Sequence, residues 1–378
     1  MASTSVRAAV LPTLGAPAVI TELELVEPRA GEVRVRMLAS GVCHSDLHVR
    51  DGEWDRPTPI VMGHEGAGRV EAVGPGVSTP RVGDLVALSW LIPCGVCRVC
   101  RRGQTWACPD SPSYRHALLD GTRPFRTRDS GDGTGADASI RAYCAIATMA
   151  EAVVVPAAAA IPVPPDVDPA VAALIGCCVT TGVGAVLKTA AVPAGASVAV
   201  LGLGGVGLSC VMGAVIAGAS RIVAIDRVPA KLDVARAVGA TDTLLADDDA
   251  AATVGALRDL TDGGPDYVFE AIGRPATVEM AIAALPVGGT AVLVGMTPLG
   301  ERAGFEVYPF VDGSRRILGS NYGFAEPAID FPRYAAWALD GRLPIDRLID
   351  RQIRLDDVED AFATMRRGAS IRQVITFD

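Results

Sequence analysis

The sequence predicts an α/β protein of two domains, one made mainly of β-strands and one built on a doubly wound parallel sheet. Residues 1–90 contain short runs of alternating apolar and polar residues separated by glycines, which is typical of strands joined by tight turns. Residues 179–320 instead alternate strand-like and helix-like segments, as a parallel sheet with crossover helices requires. The 378 residues, 50% of them hydrophobic and 20% charged, suffice for two folded cores.

Local patterns predict the individual elements. Alternation indicates strands at Glu32–Met37 and Gly66–Val73, and the carboxyl-terminal tail contains a helix at Phe331–Leu339. Residues 109–145 are polar and predict an exposed loop, and Ala157–Pro165 predicts an extended connection. The predicted strands of the parallel sheet are Ser197–Leu201, Arg221–Ile225, Thr243–Leu245, Tyr267–Glu270 and Thr290–Val294.

Charge and hydropathy exclude several functional classes. A net charge of −9 argues against non-specific binding to nucleic acid or to anionic membranes. Thr189–Ser220 carries no charge and is long enough to span a bilayer, but glycines divide it into a strand, a turn and a helix. Met1–Leu14 contains Arg7 and lacks the long apolar core of a signal peptide. We therefore expect a cytoplasmic protein.

Four cysteines form a C-x2-C-x2-C-x7-C run at Cys94, Cys97, Cys100 and Cys108. Four thiolates this close in sequence can converge on one tetrahedral Zn²⁺ without long-range folding. The alternatives are a disulfide cluster or four unrelated core thiols, but cytosolic chains rarely keep disulfides. Because the protein fills all four coordination positions, the run predicts a structural zinc site.

The turn Gly202–Gly207 has the pattern G-x-G-x-x-G between a predicted strand and a predicted helix. Glycines at such a turn let the backbone approach a pyrophosphate, whose charge the helix N-terminus attracts. Asp226 ends the next predicted strand, about 20 residues on, where an acid accepts hydrogen bonds from the adenosine ribose. An ordinary crossover with a solvated acid is the alternative. The pattern predicts a dinucleotide held by Gly202, Gly204, Gly205, Val206 and Gly207.

Three other residues of metal-binding type, Cys43, His64 and Cys177, lie far apart in the sequence. Two thiolates and one imidazole would make a zinc site with an open fourth position. From the residues alone this grouping is a hypothesis, because a lone buried cysteine usually acts as a small apolar side chain. A lone histidine is likewise more often a hydrogen-bonded structural residue.

Over nearly its whole length the chain resembles the zinc-dependent medium-chain alcohol dehydrogenases of the long-loop, two-zinc type. The resemblance implies a GroES-like catalytic domain at 1–178 and 322–378 and a Rossmann dinucleotide-binding domain at 179–321. The matching motifs are Gly41–Asp46, Gly63–Gly68, Val82–Asp84, the four-cysteine run, Gly202–Gly207 and Ser370–Arg372.

By resemblance, the three scattered residues are the ligands of a catalytic zinc ion. Asp46 and Glu65 match the acids behind these ligands, with Asp46 orienting His64. Ser45 and His48 match a relay that carries the alcohol proton to solvent. The implied coenzyme contacts are His44 and Arg372 for the pyrophosphate, Asp226 and Lys231 for the adenosine ribose, and Thr181; the implied pocket residues are Trp54, Trp90 and Asn321.

The resemblance implies an NAD-linked dehydrogenase with two zinc ions per chain. Its expected substrate is a primary alcohol, aromatic and allylic alcohols being candidates because two indoles would line the pocket. A formaldehyde dehydrogenase acting on a glutathione or mycothiol adduct is the alternative. A zinc-free reductase and a non-catalytic NAD-binding protein also remain open, although the complete ligand set and the Ser45–His48 pair argue against both. We further expect a homodimer that makes contact at the edge of the coenzyme-domain sheet, near Thr290–Met296 and the residues after it.

Overall fold

The structure, a computed structural model, describes residues 4–127 and 139–377. The chain divides into two compact units, the first comprising Met1–Cys177, Glu326–Gly341 and Ile349–Asp378. The second comprises Cys178–Ala325 and Arg342–Leu348. The sequence-based division assigns the segment 342–348 to the catalytic domain, whereas the structure places it in the second unit. Its short 3₁₀ turn Ile345–Leu348 packs there against the helix Gly205–Ala217.

The first unit is mainly β-structure. Its strands are β1 Thr4–Leu11, β2 Val19–Leu25, β3 Glu32–Gly41, β4 Ile60–Val61, β5 Gly66–Val73, β6 Leu85–Leu88, β7 Phe125–Thr127, β8 Ser139–Ala142, β9 Ala152–Pro156, β10 Ala160–Pro162, β17 Ile349–Ile353 and β18 Arg372–Thr376. Its helices are α1 His44–Arg50, α2 Pro169–Leu174, α9 Pro327–Leu339 and α10 Val358–Arg366.

These strands form a closed barrel and a second sheet. The barrel order is β1-β2-β7-β8-β4, and the sheet order is β10-β6-β5-β3-β18-β17, with β9 also paired to β3. The loop predicted over residues 109–145 is therefore partly wrong, since β7 and β8 close the barrel and bury Phe125 and Ile140 in its core. Both strands are too short to show alternation. The Gly/Asp-rich stretch at 129–138 lies outside the described residues.

The second unit is the predicted doubly wound parallel sheet. Its elements are α3 Thr180–Gly184, β11 Ser197–Leu201, α4 Gly205–Ala217, β12 Arg221–Asp226, α5 Pro229–Ala237, β13 Asp242–Leu245, α6 Ala250–Leu260, β14 Tyr267–Glu270, α7 Pro275–Ala283, β15 Thr290–Leu293, α8 Val307–Asp312 and β16 Arg316–Gly319. The strand order is β13-β12-β11-β14-β15-β16, and every pairing is parallel. The chain reverses its direction of winding between β11 and β14, which is where such sheets bind ligands.

One long apolar helical stretch, Pro169–Thr189, runs from α2 through α3, with one π-helical turn between these helices and another after α3. By length and composition it could cross a membrane, but 89% of its most apolar window is buried within the protein. Such burial is characteristic of a core helix. The uncharged segment Thr189–Ser220 forms β11, a turn and α4, as predicted.

Candidate active site and metal centres

Cys43, His64 and Cys177 meet in the first unit, with their ligand atoms within 4.8 Å of one another. Cys43 caps α1, His64 follows β4, and Cys177 lies in the π-helical turn Ile175–Val179. All three side chains are buried. Gly63 has φ +93°, and a Cβ there would lie 2.4 Å from the backbone nitrogen of Met149, so only glycine lets the chain deliver His64 to this point.

Asp46 lies behind the cluster and is fully buried. Its carboxylate accepts hydrogen bonds from the backbone N–H groups of Cys43 and Gly63, both at 3.2 Å, and lies 3.0 Å from Nδ1 of His64. Because a carboxylate only accepts, Nδ1 carries a proton, and in the neutral ring the lone pair is therefore on Nε2. Nε2 is buried beside the thiol of Cys43 and has no hydrogen-bond partner among the described residues, which fits a metal ligand.

The charges at the cluster favour a thiolate. A hydrogen bond from Cys177, together with the positive charges of Arg372 and His64, holds the pKa of Cys43 well below its usual range despite burial. Burial lowers the pKa of His64, but the charges of Asp46 and Cys43 outweigh this effect and raise that pKa well above its usual range. The donor set of two sulfurs and one imidazole is one that Zn²⁺ prefers, with one position left for a further ligand.

Glu65 and Arg372 form a buried ion pair next to the cluster. Arg372 Nη1 lies 3.3 Å from Glu65 Oε2 and donates a 2.9 Å hydrogen bond to the carbonyl of Val42. Their side chains are 5% and 0% exposed. The pair therefore ties the start of β18 to the segments that carry Cys43 and His64.

The four-cysteine run forms a second cluster, whose sulfur atoms also lie within 4.8 Å of one another. Backbone N–H groups of Cys97, Cys100 and Cys94 point at the sulfurs of Cys94, Cys97 and Cys108, at 3.3–3.4 Å. The sulfurs of Cys97 and Cys108 are 4.0 Å apart. Tetrahedral zinc with bonds of about 2.3 Å requires a separation of about 3.8 Å, so the run fits a closed zinc site.

The glycine turn of the second unit has the geometry of a phosphate cradle. Gly202 has φ +89°, and a Cβ on Gly207 would lie 1.7 Å from the carbonyl oxygen of Gly202. Asp226, at the end of β12, accepts hydrogen bonds from the N–H groups of Leu203 at 2.8 Å and Val228 at 3.0 Å. The acid is thus fixed beside the turn, where an adenosine ribose binds in such units.

The metal cluster of the first unit and the dinucleotide turn of the second lead to a comparison with known protein families. Residues 29–165 match the alcohol dehydrogenase GroES-like domain, and residues 205–339 match the zinc-binding dehydrogenase domain. The alcohol dehydrogenase class-3 of Myxine glutinosa is 34% identical over 363 residues, which cover 95% of this chain and 94% of that protein. The chain belongs to the zinc-dependent medium-chain alcohol dehydrogenase family.

Solved structures of similar alcohol dehydrogenases have the same fold throughout. An alcohol dehydrogenase zinc-binding domain protein from Burkholderia ambifaria superposes with a TM-score of 0.91 at 36% identity, covering all of both chains. The benzyl alcohol dehydrogenase of Acinetobacter calcoaceticus superposes with a TM-score of 0.90 at 30% identity, over 99% of this chain and 100% of the other. This alcohol dehydrogenase is therefore an oxidoreductase that uses zinc and a nicotinamide cofactor.

The remaining predicted residues of this alcohol dehydrogenase lie in both units. His44 and Ser45 begin α1, His44 exposed and Ser45 half-buried, and Trp90 is half-buried against the barrel core. Trp54 is buried and stacks on His48 with ring centroids 4.7 Å apart. In the second unit, Thr181 lies on α3, Lys231 on α5, and Asn321 is exposed after β16.

Two residues that contact candidate site histidines were not predicted from the sequence. Tyr143 meets the ring of His64 edge-on, with centroids 5.5 Å apart and an angle of 90°, and stacks on His116 at 5.6 Å. Glu53 forms a hydrogen bond with Nδ1 of His48. Tyr143 lies in the segment predicted as loop, where no periodic pattern identifies a buried aromatic ring. Glu53 is five residues beyond a candidate histidine, and that proximity was the available signal.

Proposed function

We propose that this enzyme oxidises primary alcohols to aldehydes with NAD, and catalyses the reverse reaction, with aromatic and allylic alcohols as its favoured substrates. The observation that carries this proposal is the buried Cys43–His64–Cys177 cluster, in which Nε2 of His64 has no partner among the described residues. The benzyl alcohol dehydrogenase of similar structure supports the aromatic choice, as do the two indoles Trp54 and Trp90.

In the proposed mechanism, the protein holds and orients the reacting groups. Cys43, His64 and Cys177 would hold the catalytic zinc, and Asp46 keeps Nδ1 of His64 protonated, which leaves Nε2 as the nitrogen available to a metal. When bound, zinc supplies a Lewis acid that lowers the pKa of the alcohol oxygen, and NAD supplies the hydride acceptor. Ser45 would accept the hydroxyl proton while it releases its own proton towards His48, and His48 would pass that proton to solvent. Cys94, Cys97, Cys100 and Cys108 would hold the structural zinc.

We propose NAD in preference to NADP. Asp226 would face the 2′-phosphate of NADP, and two like charges about 4 Å apart repel by about 4 kcal/mol at an effective dielectric of 20. Arg227 could offset this repulsion, but it forms an ion pair with Asp248. In Asp226→Ala, kcat/KM with NADP should rise relative to that with NAD. An unchanged ratio would show that Asp226 does not determine the choice.

A second candidate is a formaldehyde dehydrogenase that acts on a thiol adduct. The class-3 alcohol dehydrogenase that is 34% identical favours it. Asp55 is an exposed acid next to the proposed pocket residue Trp54, and it offers one anchor for a charged thiol. Trp54 itself, buried and stacked on His48, presents an apolar surface and favours the first candidate.

A single assay separates these candidates. Zinc-replete enzyme is tested for NAD reduction with ethanol, benzyl alcohol and cinnamyl alcohol, and with formaldehyde in the presence and absence of glutathione or mycothiol. We expect the highest kcat/KM with the aromatic and allylic alcohols and no thiol requirement. Activity with formaldehyde that depends on the thiol would select the second candidate. No NAD reduction with any of these substrates, despite two bound zinc ions, would refute both.

We further propose a cytoplasmic homodimer that associates through its coenzyme-binding units. One edge of the parallel sheet is β16, and the predicted contact near Thr290–Met296 begins in the neighbouring strand β15. Large apolar side chains around this edge are exposed: Met296, Leu299, Val307, Tyr308 and Val311. Large exposed apolar patches mark interaction sites. A light-scattering mass of one or four chains would contradict the dimer.

A further inference from the structure

His48 is held on two sides by the segment that follows α1. The chain turns back after the helix, so that the backbone N–H groups of Glu53 and Trp54 donate to the carbonyl of His48 at 2.9 and 3.2 Å. The Glu53 carboxylate then forms a hydrogen bond with Nδ1 of His48, and the indole of Trp54 stacks on the ring at an interplanar angle of 21°. These contacts fix both the position and the rotation of the imidazole.

The chemistry of the carboxylate determines which nitrogen carries the proton. Glu53 is 43% exposed, and an exposed carboxylate at neutral pH accepts hydrogen bonds but donates none. Nδ1 of His48 must therefore be the protonated nitrogen of the neutral ring, which leaves the lone pair on Nε2. The same arrangement, in which an acid fixes the tautomer of a histidine, orients the base in hydrolase triads.

We propose that Glu53 is a positioning residue that holds His48 in the Nδ1–H tautomer and so presents Nε2 as the atom that accepts the alcohol proton. This inference rests on the proposed relay through Ser45 and His48. In the relay, Nε2 takes a proton and the ring becomes an imidazolium, while the Nδ1 proton stays between the ring and Glu53. Nε2 then releases its proton to water, and the original tautomer returns.

Other charged or titratable groups near His48 are less well placed to fix the tautomer. On the same helix, the ring of His44 lies 6.5 Å away, centroid to centroid, and tilted by 51°. The guanidinium carbon of Arg56 lies 5.7 Å from the centroid of the Trp54 ring, which stacks on His48. Of these groups, Glu53 is the one with a hydrogen bond to a ring nitrogen.

The first test measures the tautomer directly. The chain has only 4 histidines, so the ring nitrogens of ¹⁵N-histidine-labelled, zinc-replete enzyme can be assigned by NMR, His48 being the signal lost in His48→Gln. We expect His48 to show a protonated Nδ1 and an unprotonated Nε2 in the wild-type enzyme. In Glu53→Ala, the ring should become a mixture of tautomers or change to Nε2–H. Asp55→Asn removes an equal charge from the same loop and should leave the tautomer unchanged.

The second test measures the consequence for turnover. Under conditions where proton transfer limits alcohol oxidation, Glu53→Ala should lower kcat about fivefold, and added imidazole should partly restore it, since general-base catalysis depends on a positioned acceptor. NAD affinity and zinc content should not change. Glu53→Gln should lie between the two enzymes, because its amide oxygen can accept a hydrogen bond from Nδ1–H while its NH2 group can also donate one to Nδ1.

The outcomes separate this inference from the proposed function. A wild-type His48 in the Nε2–H form, or a tautomer unaffected by Glu53→Ala, would overturn the inference. If Glu53→Ala changes the tautomer while His48→Gln leaves alcohol oxidation unimpaired, then Glu53 positions the ring but the relay is wrong. In that case the catalytic part of the inference is overturned together with the relay.

Discussion

The two metal clusters differ in how the chain builds them. The four cysteines of the structural cluster come from fifteen consecutive positions, and Cys94 and Cys97 are partly exposed. Cys43, His64 and Cys177 come from three distant segments and are all buried. Backbone N–H groups surround the first cluster, whereas the carboxylate of Asp46 supports the second. A cluster whose ligands come from distant segments can supply three ligands and leave the fourth coordination position open, as catalysis requires.

The largest expected effect follows from removing a ligand of the buried cluster. Cys177→Ser should lower kcat by at least about a thousandfold, because a Lewis acid contributes several kcal/mol to such a reaction. The protein should stay folded and retain one zinc per chain by elemental analysis. Cys178→Ala, which changes the neighbouring buried thiol, is the matched control and should keep both ions. Full activity in Cys177→Ser would refute the assignment of the catalytic zinc.

The four-cysteine cluster, called the local cluster because its ligands are neighbours in the chain, should instead contribute mainly to stability. Cys100→Ser should release the other zinc and lower the free energy of unfolding by several kcal/mol, which corresponds to a fall in Tm of roughly 10 °C. Cys210→Ala, a buried thiol outside both clusters, should release no zinc. An enzyme that loses this zinc with an unchanged Tm but no activity would show that the roles of the two clusters have been interchanged.

Zinc binding to the local cluster should depend steeply on pH. Backbone N–H groups of Val96 and Cys97 lower the pKa of Cys94 to about 7, whereas burial raises the pKa of Cys100 to about 12 and also raises that of Cys108. At neutral pH, Cys100 and Cys108 must therefore each lose a proton when zinc binds. Affinity should fall at least about a hundredfold for each unit that the pH decreases, measured by chelator competition. A slope near zero would contradict this.

The smallest expected effect tests the acid behind the buried cluster. Asp46→Asn removes the charge that fixes the tautomer of His64 and should weaken zinc binding there by about 10- to 100-fold. Asp110→Asn makes the same change beside Cys94, where the carboxylate is exposed and 3.9 Å from the sulfur. It should weaken zinc binding to the local cluster far less. Equal losses in the two variants would remove the difference between the clusters.

Much of the coenzyme-binding unit could be predicted from the sequence alone. The five predicted strands agree with β11 to β15 to within one residue at each end. Four of them, β11, β12, β14 and β15, are mostly buried, and buried parallel strands form continuous apolar runs. The edge strand β16 was missed, since its four residues include Arg316 and Gly319 and are less buried. The barrel strands β7 and β8 were also missed, since β7 has only three residues and β8 only four.

The candidate site could be predicted only in part. Spacing alone identified the cysteine run, since all its ligands are neighbours in the chain. Nothing in the spacing of Cys43, His64 and Cys177 indicates that they meet, and the family resemblance supplied that grouping. The contacts of Tyr143 with His64 and of Glu53 with His48 depend on how a turn folds back, which a linear pattern does not encode.

The order in which the two clusters can form follows from the local closure of the cysteine loop. A chain emerges from the ribosome from its amino terminus, at about 5–20 residues per second. All four ligands of the loop are available once Cys108 has emerged, whereas the buried cluster must wait for Cys177 and for the π-helical turn that carries it. The structural ion can therefore bind while the chain is still being synthesised. The catalytic ion would then bind to a first unit in which the structural ion is already in place.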